Sequence, residues 1–234
     1  MNINRFKLLI MFLLVVFLTA FSLIKNGERK IDLNKINYLD SNFNFTSPKA
    51  VNKLLKQSDS ISLMLLKRDI NLNKIENLLN ENPFIDMAEV SLSLEGGVEI
   101  KVIEKEPVFR VLEGEYYIDS NGNKMPLSDI FSKSMPLIIS EVDSNYFADL
   151  GSFGSYIKND SFLSNHISGL EIINNEFNIY VRNYSYVIKM KDLSGFKNSF
   201  MNYKAFFKSV DQDSVLSRLS SINLNYRNQV IVQK

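Results

Sequence analysis

The sequence predicts an α+β protein that carries a single N-terminal transmembrane helix, a small mixed domain and then a β-rich domain with short helices. Three observations predict this class. An uncharged apolar run opens the chain, apolar residues then recur first at helical spacing and afterwards in alternation, and the C-terminal third consists mostly of short alternating segments. The chain has 234 residues, which is enough for one membrane segment and two modest domains.

The composition excludes several functional classes. Hydrophobic residues make up 45% and charged residues 23% of the chain, as in a folded protein. The formal net charge of +1 argues against nucleic acid as a partner, because such binding depends on neutralising phosphates. The chain has no cysteine, so disulfides, zinc–thiolate sites and thiol catalysis are all excluded.

The first element is an apolar helix. Residues 1–7 form a short tail, and residues 8–24 form an uncharged run near the lower length limit for crossing a bilayer. We interpret this run as an uncleaved transmembrane helix in contact with membrane lipid. One alternative is a buried core helix, which the lack of a polar face disfavours. The other is a signal peptide, for which Ala20-Phe21-Ser22 is a weak cleavage site.

Charges on the two sides of the run barely favour one orientation. Two basic residues precede it, whereas Lys25, Arg29 and Lys30 follow it. Because a tail this short usually stays in the cytoplasm, we expect a cytoplasmic N-terminus. Residues 25–29 form a linker to the first domain.

The first domain, residues 30–108, is predicted from a helix followed by a hairpin. The helix should stop before Asn82-Pro83, because the residue before a proline is pushed out of the helical region. Gly96-Gly97 predicts a hairpin turn between strands from about Phe84 to Leu94 and from Val98 to Lys105. The residues at helical spacing are Leu72, Ile75, Leu78 and Leu79.

Residues upstream supply the remaining layer of this domain. Ser47-Pro48 predicts a helix start, with the serine as N-cap and the proline at the first helical position. The apolar residues Ile31, Leu33 and Ile36 predict a preceding strand, so the order is strand, helix, helix, strand, strand. The apolar run Ile61–Leu66 is either core or an exposed contact for a partner.

The second domain, residues 109–234, begins with strand signals. Tyr116–Ile118 predicts a strand that ends in a turn at Asp119–Gly122, where the glycine supplies a positive φ. Two later Met-Pro-Leu triplets each predict an edge or a strand start, and the second leads into a short buried run, Leu137–Ile139. Glu141–Asn165 has no clear period and is interpreted as a loop that could include a short helix.

The remaining segments have clearer patterns. Asn174-Asn175 predicts a hairpin turn between Ile167–Ile173 and Phe177–Val181. Aromatic residues at helical spacing predict a helix over Ser194–Ser209. Alternation predicts further strands over Tyr184–Met190 and Ile222–Tyr226.

The sequence predicts no catalytic, cofactor-binding or metal-binding residues. His166 is the single histidine and lies in a polar context, which favours a surface position; one histidine without cysteine cannot form the usual zinc sites. No glycine-rich phosphate loop or dinucleotide fingerprint occurs. Glu104 and Glu106 could be imagined as an acid and a base, but the solvated end of a strand is the better interpretation.

Five stretches of the chain resemble parts of one known family. NPFIDMAEVSL and VEIKVIEKEPVFRV cover the predicted hairpin of the first domain, YYIDSNGNKMPLS and MPLIIS lie early in the second domain, and INLNYRNQVIV lies near its end. They resemble, in that order, the POTRA domain, the start of the second domain and the last strands of the FtsQ/DivIB family of bacterial cell-division proteins. The resemblance touches both domains, although POTRA domains also occur in secretion and outer-membrane assembly proteins.

The resemblance implies a non-catalytic divisome scaffold that links early and late division proteins and helps to control septal peptidoglycan synthesis through FtsB and FtsL. It also implies a single-pass protein of the cell inner (plasma) membrane at the division septum, with both domains outside the cytoplasm. The POTRA domain would contact other divisome components. The alternative function is a POTRA-bearing periplasmic protein of transport or outer-membrane assembly. A periplasmic enzyme is a third possible class, and the lack of a recognisable set of catalytic residues in the sequence argues against it.

Strand edges are the features that could bind a partner. An edge strand leaves backbone N–H and C=O groups available for another chain, and we interpret Ile222–Tyr226 as such an edge. In the family, FtsB adds to the sheet in this part of the second domain. The resemblance therefore implies partner-binding roles for Asn225, Tyr226, Arg227 and Asn228. Tyr226 could instead be a core residue of a terminal strand.

Overall fold

The structure of the chain is a computed structural model that describes residues 3–32, 35–57, 64–210 and 215–234. Contacts divide the chain into two units, Met1–Glu104 and Lys105–Lys234, which are described separately. The first unit combines helices with a small mixed sheet, and the second packs short helices on a large sheet. The predicted α+β class is therefore confirmed.

Helix α1 (Ile3–Gly27) contains the predicted apolar run and extends beyond it at both ends. Over Phe6–Gly27 it is long and apolar enough to cross a membrane, with a mean hydropathy of 2.6, and it is the one such helix in the part of the chain that the structure describes. The large apolar side chains around this helix are exposed, and a surface of this kind needs apolar surroundings. The helix therefore fits a single-pass membrane protein.

The first unit continues with a three-stranded sheet ordered β2-β5-β4, in which β2 is parallel and β4 antiparallel to β5, and with a separate pair of β1 and β3. The predicted first strand is therefore two strands, and Leu33 lies outside the described residues, as do the side chains of the apolar run up to Leu65. The elements are β1 (Lys30–Asp32), β2 (Ile36–Tyr38), α2 (Pro48–Gln57), β3 (Met64–Leu66), α3 (Leu72–Asn80), β4 (Ile85–Leu92) and β5 (Val98–Glu104).

Side chains cap helices α2 and α3 at their starts, and the start of α2 is the predicted one. Ser47 Oγ accepts a hydrogen bond from the backbone N–H of Ala50, and Asn71 Oδ1 accepts one from that of Lys74, both at 3.1 Å. Helix α3 ends before Asn82-Pro83, as predicted. The helices and the sheet share one apolar core, which contains Ile31, Val51, Leu55, Ile75, Leu79, Ile85, Ala88, Val90, Val98, Ile100 and Val102.

The carboxylate of Glu104 holds the loop that precedes α2. It accepts hydrogen bonds from the backbone N–H groups of residues 44–46 and from the hydroxyl of Thr46, at 2.7–3.1 Å. The prediction of a solvated strand end is therefore wrong for Glu104, because its oxygens close a loop distant in sequence. Glu106, which belongs to the second unit, remains half exposed and forms an ion pair with Lys158.

The second unit contains a nine-stranded sheet ordered β14-β13-β12-β11-β10-β9-β6-β7-β8. Neighbours are antiparallel except at β12–β13, β9–β10 and β6–β9, which are parallel. Strand β6 belongs to this sheet, although the expected domain boundary lies after Val108. The elements are β6 (Pro107–Val111), β7 (Tyr116–Asp119), β8 (Lys124–Pro126), β9 (Leu137–Ile138), α4 (Phe147–Asn159), α5 (Ser161–His166), β10 (Ile167–Ile173), β11 (Glu176–Val181), β12 (Val187–Met190), α6 (Phe196–Ser209), β13 (Ser221–Asn223) and β14 (Ile231–Gln233).

Two predicted elements of this unit are confirmed in detail. Asn174 and Asn175 have φ values of 51° and 62°, the left-handed conformation that a two-residue hairpin turn between β10 and β11 requires. The aromatic residues that predict helix α6 are Phe196, Phe200, Tyr203, Phe206 and Phe207, and the helix buries all of them except Phe206, which is half-buried.

Strand β9 lies inside the sheet, between β6 and β10. It starts directly after Pro136, as the second Met-Pro-Leu triplet predicts. The predicted buried run Leu137–Ile139 is wrong, because only Ile138 is buried while its two neighbours are exposed. Side chains alternate across a strand, and only one face of the sheet meets the core here.

Helix α4 occupies half of Glu141–Asn165, a segment predicted to be a loop that could include a short helix. The predicted loop is therefore wrong, because most of the segment is helical. The helix buries a stripe that includes Leu150 and Phe153. Gly151 and Gly154 lower the helix propensity of the segment, because glycine is a poor helix former, and so the sequence does not clearly predict a helix here. Helix α4 is therefore stabilised by its packing on the sheet and not by local preference.

Close contacts explain both glycines of α4, with backbone atoms at Gly151 and with core side chains at Gly154. A Cβ atom on Gly151 would lie 2.5 Å from the backbone nitrogen of Gly122, and one on Gly154 would lie 2.5 Å from Cγ2 of Val108. Gly122 has a φ of 78° and confirms the predicted turn after β7, where the buried Asp119 carboxylate accepts backbone hydrogen bonds. Helix α4 thus rests directly on a turn and on a strand of the sheet.

We expect Gly151→Ala to destabilise the chain by about 1–3 kcal/mol, because the added methyl group overpacks a contact with rigid backbone. Ser152→Ala, on the exposed side of the same helix, should change the stability by less than about 0.5 kcal/mol. Urea unfolding of the full chain, followed by circular dichroism, measures both changes. Equal effects of the two substitutions would contradict the close contact.

Candidate partner-binding edge

The sheet of the second unit has two ends that differ in their chemistry. At one end, β8 exposes Lys124 and Pro126 on either side of the buried Met125. Proline lacks an N–H and lysine resists burial, so both hinder pairing with another chain. The ammonium of Lys124 also lies 4.1 Å from the centroid of the Tyr116 ring. This edge is therefore protected against strand addition.

Strand β14 forms the other end of the sheet. It pairs antiparallel with β13 over Ile231–Gln233, and no described strand lies on its other side. The prediction that Ile222–Tyr226 is the edge is wrong, because β13 lies between β12 and β14 and Ile222 is fully buried. The available backbone groups therefore belong to the next strand along the chain.

The open edge carries exposed apolar side chains. Ile231 is 43% and Val232 is 41% exposed, and Tyr226, just before the strand, is 54% exposed. The alternative that Tyr226 is a core residue is therefore wrong. The resemblance places Ile231 and Val232 among the last strands, but it implies no partner-binding role for them. Together these side chains give the edge a surface that a partner strand can cover.

The four residues predicted to bind a partner form the turn between β13 and β14. Tyr226, Arg227 and Asn228 are exposed, and Asn228 has a φ of 58°. Asn225 is half-buried: its Oδ1 accepts a hydrogen bond from the backbone N–H of Lys191 at 2.6 Å. The structure thus brings all four residues together at the start of the edge strand, with Asn225 engaged in holding the turn.

The sheet forms an open groove beside this edge. Its lining includes Asn178, Tyr180, Lys189 and Gln233, which come from β11, β12 and β14. The Tyr180 hydroxyl donates a hydrogen bond to Glu171 at 2.6 Å, and this bond raises the pKa of Tyr180 to about 12. The groove therefore offers polar groups to side chains of a strand that pairs with β14.

His166 lies inside the second unit and is only 7% exposed, so the predicted surface position is wrong. Its Nε2 atom is 2.5 Å from the hydroxyl of Tyr203, which is 2.6 Å from the hydroxyl of Tyr186. Burial lowers the pKa of His166 to about 4 and raises the pKa of Tyr186 to about 12. The histidine is therefore neutral at pH 7. Phe162, one helical turn earlier and stacked on its ring, is the signal in the sequence that could have indicated burial.

The described residues present an open strand edge with which another chain can pair. Among them, no three His, Asp or Glu side chains are grouped so that they could hold a metal ion. His166 is enclosed by aromatic rings of the core, and Glu104 is engaged by a loop. The edge of the sheet acts through main-chain hydrogen bonds and apolar contact, which suit recognition of an extended chain.

Two family models match the chain, and together they cover most of it. The model described as FtsQ/DivIB, C-terminal related, matches residues 106–233, and the model described as a POTRA-like domain matches residues 31–103. One similar solved structure is the major extracytoplasmic domain of the trans isomer of the bacterial cell division protein DivIB from Geobacillus stearothermophilus. It shares 12% sequence identity at a TM-score of 0.36, with 47% of this chain and 98% of that chain covered. No curated protein matches the chain.

We expect the buried histidine to make the chain less stable as the pH falls from 6.5 towards 4. The folded pKa of His166 is lowered, so above pH 6.5 both states are neutral, and below it the unfolded state takes up a proton first. This uptake lowers the free energy of unfolding by at most about 3 kcal/mol. His166→Gln keeps a neutral hydrogen-bonding group and should show a shallower decline.

Urea unfolding of both proteins at about pH 7 and about pH 4.5 measures the difference. Carboxylate titrations are common to the two proteins, so the difference between their pH dependences reports on residue 166. Parallel pH dependences would contradict a histidine that stays neutral in the folded chain.

Proposed function

The chain belongs to the FtsQ/DivIB family, and on that premise we propose that it is a non-catalytic scaffold of the bacterial divisome. As such it links early and late cell-division proteins and helps to control septal peptidoglycan synthesis by binding FtsB and FtsL. Its role in cell division follows from the family. The partners and the way in which they bind are proposed from the geometry of the second unit.

The observation that carries the proposal is the difference between the two ends of the sheet. The β8 end is protected by Lys124 and Pro126, whereas at the other end no described strand pairs with the outer side of β14, and its Ile231 and Val232 side chains are exposed. Exposed edges favour unwanted association, and proteins usually protect them. An edge that stays open while its opposite is protected therefore fits a site for a specific partner strand.

Strand addition supplies both affinity and selectivity at such an edge. Main-chain hydrogen bonds of the partner pair with β14, and pockets for alternate side chains select the sequence. We propose that FtsB adds as a strand beside Ile231 and Val232, and that Tyr226, Arg227 and Asn228 contact its flanking residues. Asn225 supports the site from behind, because its side chain holds the turn through the bond with the backbone of Lys191.

The apolar helix gives the scaffold its place in the cell. We propose that α1 anchors the chain in the inner (plasma) membrane with the N-terminus in the cytoplasm and both units outside it, at the division septum. Exposed apolar side chains around the whole helix support membrane insertion. A scaffold anchored in this way holds its binding edge where septal peptidoglycan is made.

Tyr226→Ala should weaken FtsB binding about 30-fold, because truncating an aromatic anchor at an interface typically costs about 2 kcal/mol. The affinity of the full chain in lipid nanodiscs for an FtsB peptide measures the loss. Ile130→Ala is the matched control, since Ile130 is a highly exposed apolar residue outside the edge. Binding that is unchanged in Tyr226→Ala would contradict a contact at this turn.

Proline substitutions in β14 test whether main-chain bonds are used. N–H groups alternate in direction along a strand, so of Ile231 and Val232 one points at β13 and the other at the partner. We therefore expect Ile231→Pro and Val232→Pro to have different effects. The substitution that removes an N–H bonded to β13 lowers the stability of the chain, and the other leaves the stability unchanged but weakens FtsB binding. If neither weakens binding, strand addition at β14 is wrong. Asn225 is unsuitable for this test, because its N–H already donates to Asn223.

The proposed orientation predicts the activity of a reporter that functions only outside the cytoplasm. Fused after Lys234, it should be active, and the protein should remain in the membrane fraction at its full mass. The same reporter fused before Met1 is the control and should be inactive. A soluble product that lacks the N-terminal apolar run would identify that run as a signal peptide instead.

A further inference from the structure

A small pocket in the second unit is lined by basic side chains. Its volume is about 90 Å³, and it lies where the start of β6, the segment before β9, the end of α4, helix α5 and the end of β11 meet. Lys133, Lys158 and Arg182 are the charged residues of its lining, and no acidic residue lines it. We call it the basic pocket. Ser134 and Ser164 add hydroxyl groups to its wall.

Lys158 is the most enclosed of the three cations. Its Nζ atom is shielded from solvent and forms an ion pair with Glu106. Burial lowers the pKa of Lys158, because a charged ammonium is less stable away from water. An ammonium has three N–H donors, so this group can donate to a further acceptor in the pocket.

The two remaining cations have no acidic neighbour. Among the described residues, no carboxylate lies within ion-pair distance of Lys133 or Arg182, and both side chains are exposed at the mouth of the pocket. Three cations that converge on one pocket repel one another unless an anion lies between them. Binding of an anion in the pocket would therefore reduce the repulsion among these cations.

Two groups near the pocket oppose an anion, but they are outweighed. The carboxyl end of α4 contributes about half a negative charge, and Glu106 contributes one. Against these stand the three full positive charges of the lining, so a net positive charge remains. The backbone carbonyl of Ile157 at that helix end already accepts a hydrogen bond from Asp160, which reduces its effect.

We propose that the basic pocket binds the oxyanion group of a ligand, a carboxylate or a phosphate. The volume admits one such group and not a larger molecule, so the remainder of the ligand lies outside the mouth of the pocket. Arginine matches the paired oxygens of either group through two parallel hydrogen bonds. The site is separate from the β14 edge and does not depend on strand addition.

The test uses the full chain in zwitterionic nanodiscs with ¹⁵N-labelled serine, so that Ser134 and Ser164 report on the pocket by NMR. Sodium phosphate and sodium acetate are titrated separately, with sodium chloride at equal ionic strength and neutral acetamide as controls. We expect saturable shifts of these two signals with phosphate or acetate only. Tighter binding of phosphate indicates a phosphate group as the natural ligand, and tighter binding of acetate indicates a carboxylate.

Arg182→Gln and Lys133→Gln should each weaken the binding about fivefold, the factor that corresponds to 1 kcal/mol, the upper end for an exposed ion pair. Both side chains are exposed, so folding should not be affected. Lys197→Gln, an exposed lysine on α6, is the matched control and should bind like the parent. Equal shifts with chloride, or unchanged affinity in both pocket variants, would overturn the proposal.

Discussion

The close approach of Gly122 and Gly151 is the constraint on which the second unit depends. With no side chain on either residue, the turn after β7 and the first part of α4 meet backbone to backbone. This contact sets the depth at which α4 lies on the sheet. Phe153 then reaches the rings of Phe109 and Phe200, at centroid distances of 6.3 Å and 5.4 Å, so that α4 and α6 share one core with the sheet.

The elements that the sequence predicts well are those specified by neighbouring residues. The hairpin at Asn174-Asn175 needs only a left-handed pair of residues, and α6 needs only its aromatic stripe. The errors occur where distant residues decide. Helix α4 forms because a turn and a strand leave room for its glycines, and buried His166 is paired with the hydroxyl of Tyr203, which in turn bonds to that of Tyr186. The spacing of residues along the chain predicts neither the packing of α4 nor the burial of His166.

The candidate site shows the same division between local and distant information. The turn that includes Tyr226 could not be located from the pattern, because alternation predicts that the strand continues to Tyr226, and only the family resemblance indicates these residues. The identity of the edge could not be predicted either, because alternation assigns Ile222 a buried face but does not say which strand lies beside it. The parallel pairing of β12 with β13 and the addition of β14 depend on contacts made by the folded sheet. The protection at β8 is likewise visible only once the strand order is known.

Strand β9 has a consequence for how the second unit forms. The chain builds two meanders from neighbouring strands, β6-β7-β8 and β10-β11-β12, and β9 joins them through parallel pairs on both sides. Each meander depends on contacts close in sequence, which form fast, whereas the junction requires closure of a long loop. Strand β9 itself is only two residues long, and it fits because Gly169 leaves room for the backbone of Leu137. The nine-stranded sheet thus combines two halves of short-range pairing with one junction of longer range, and pairing of this longer range generally slows folding.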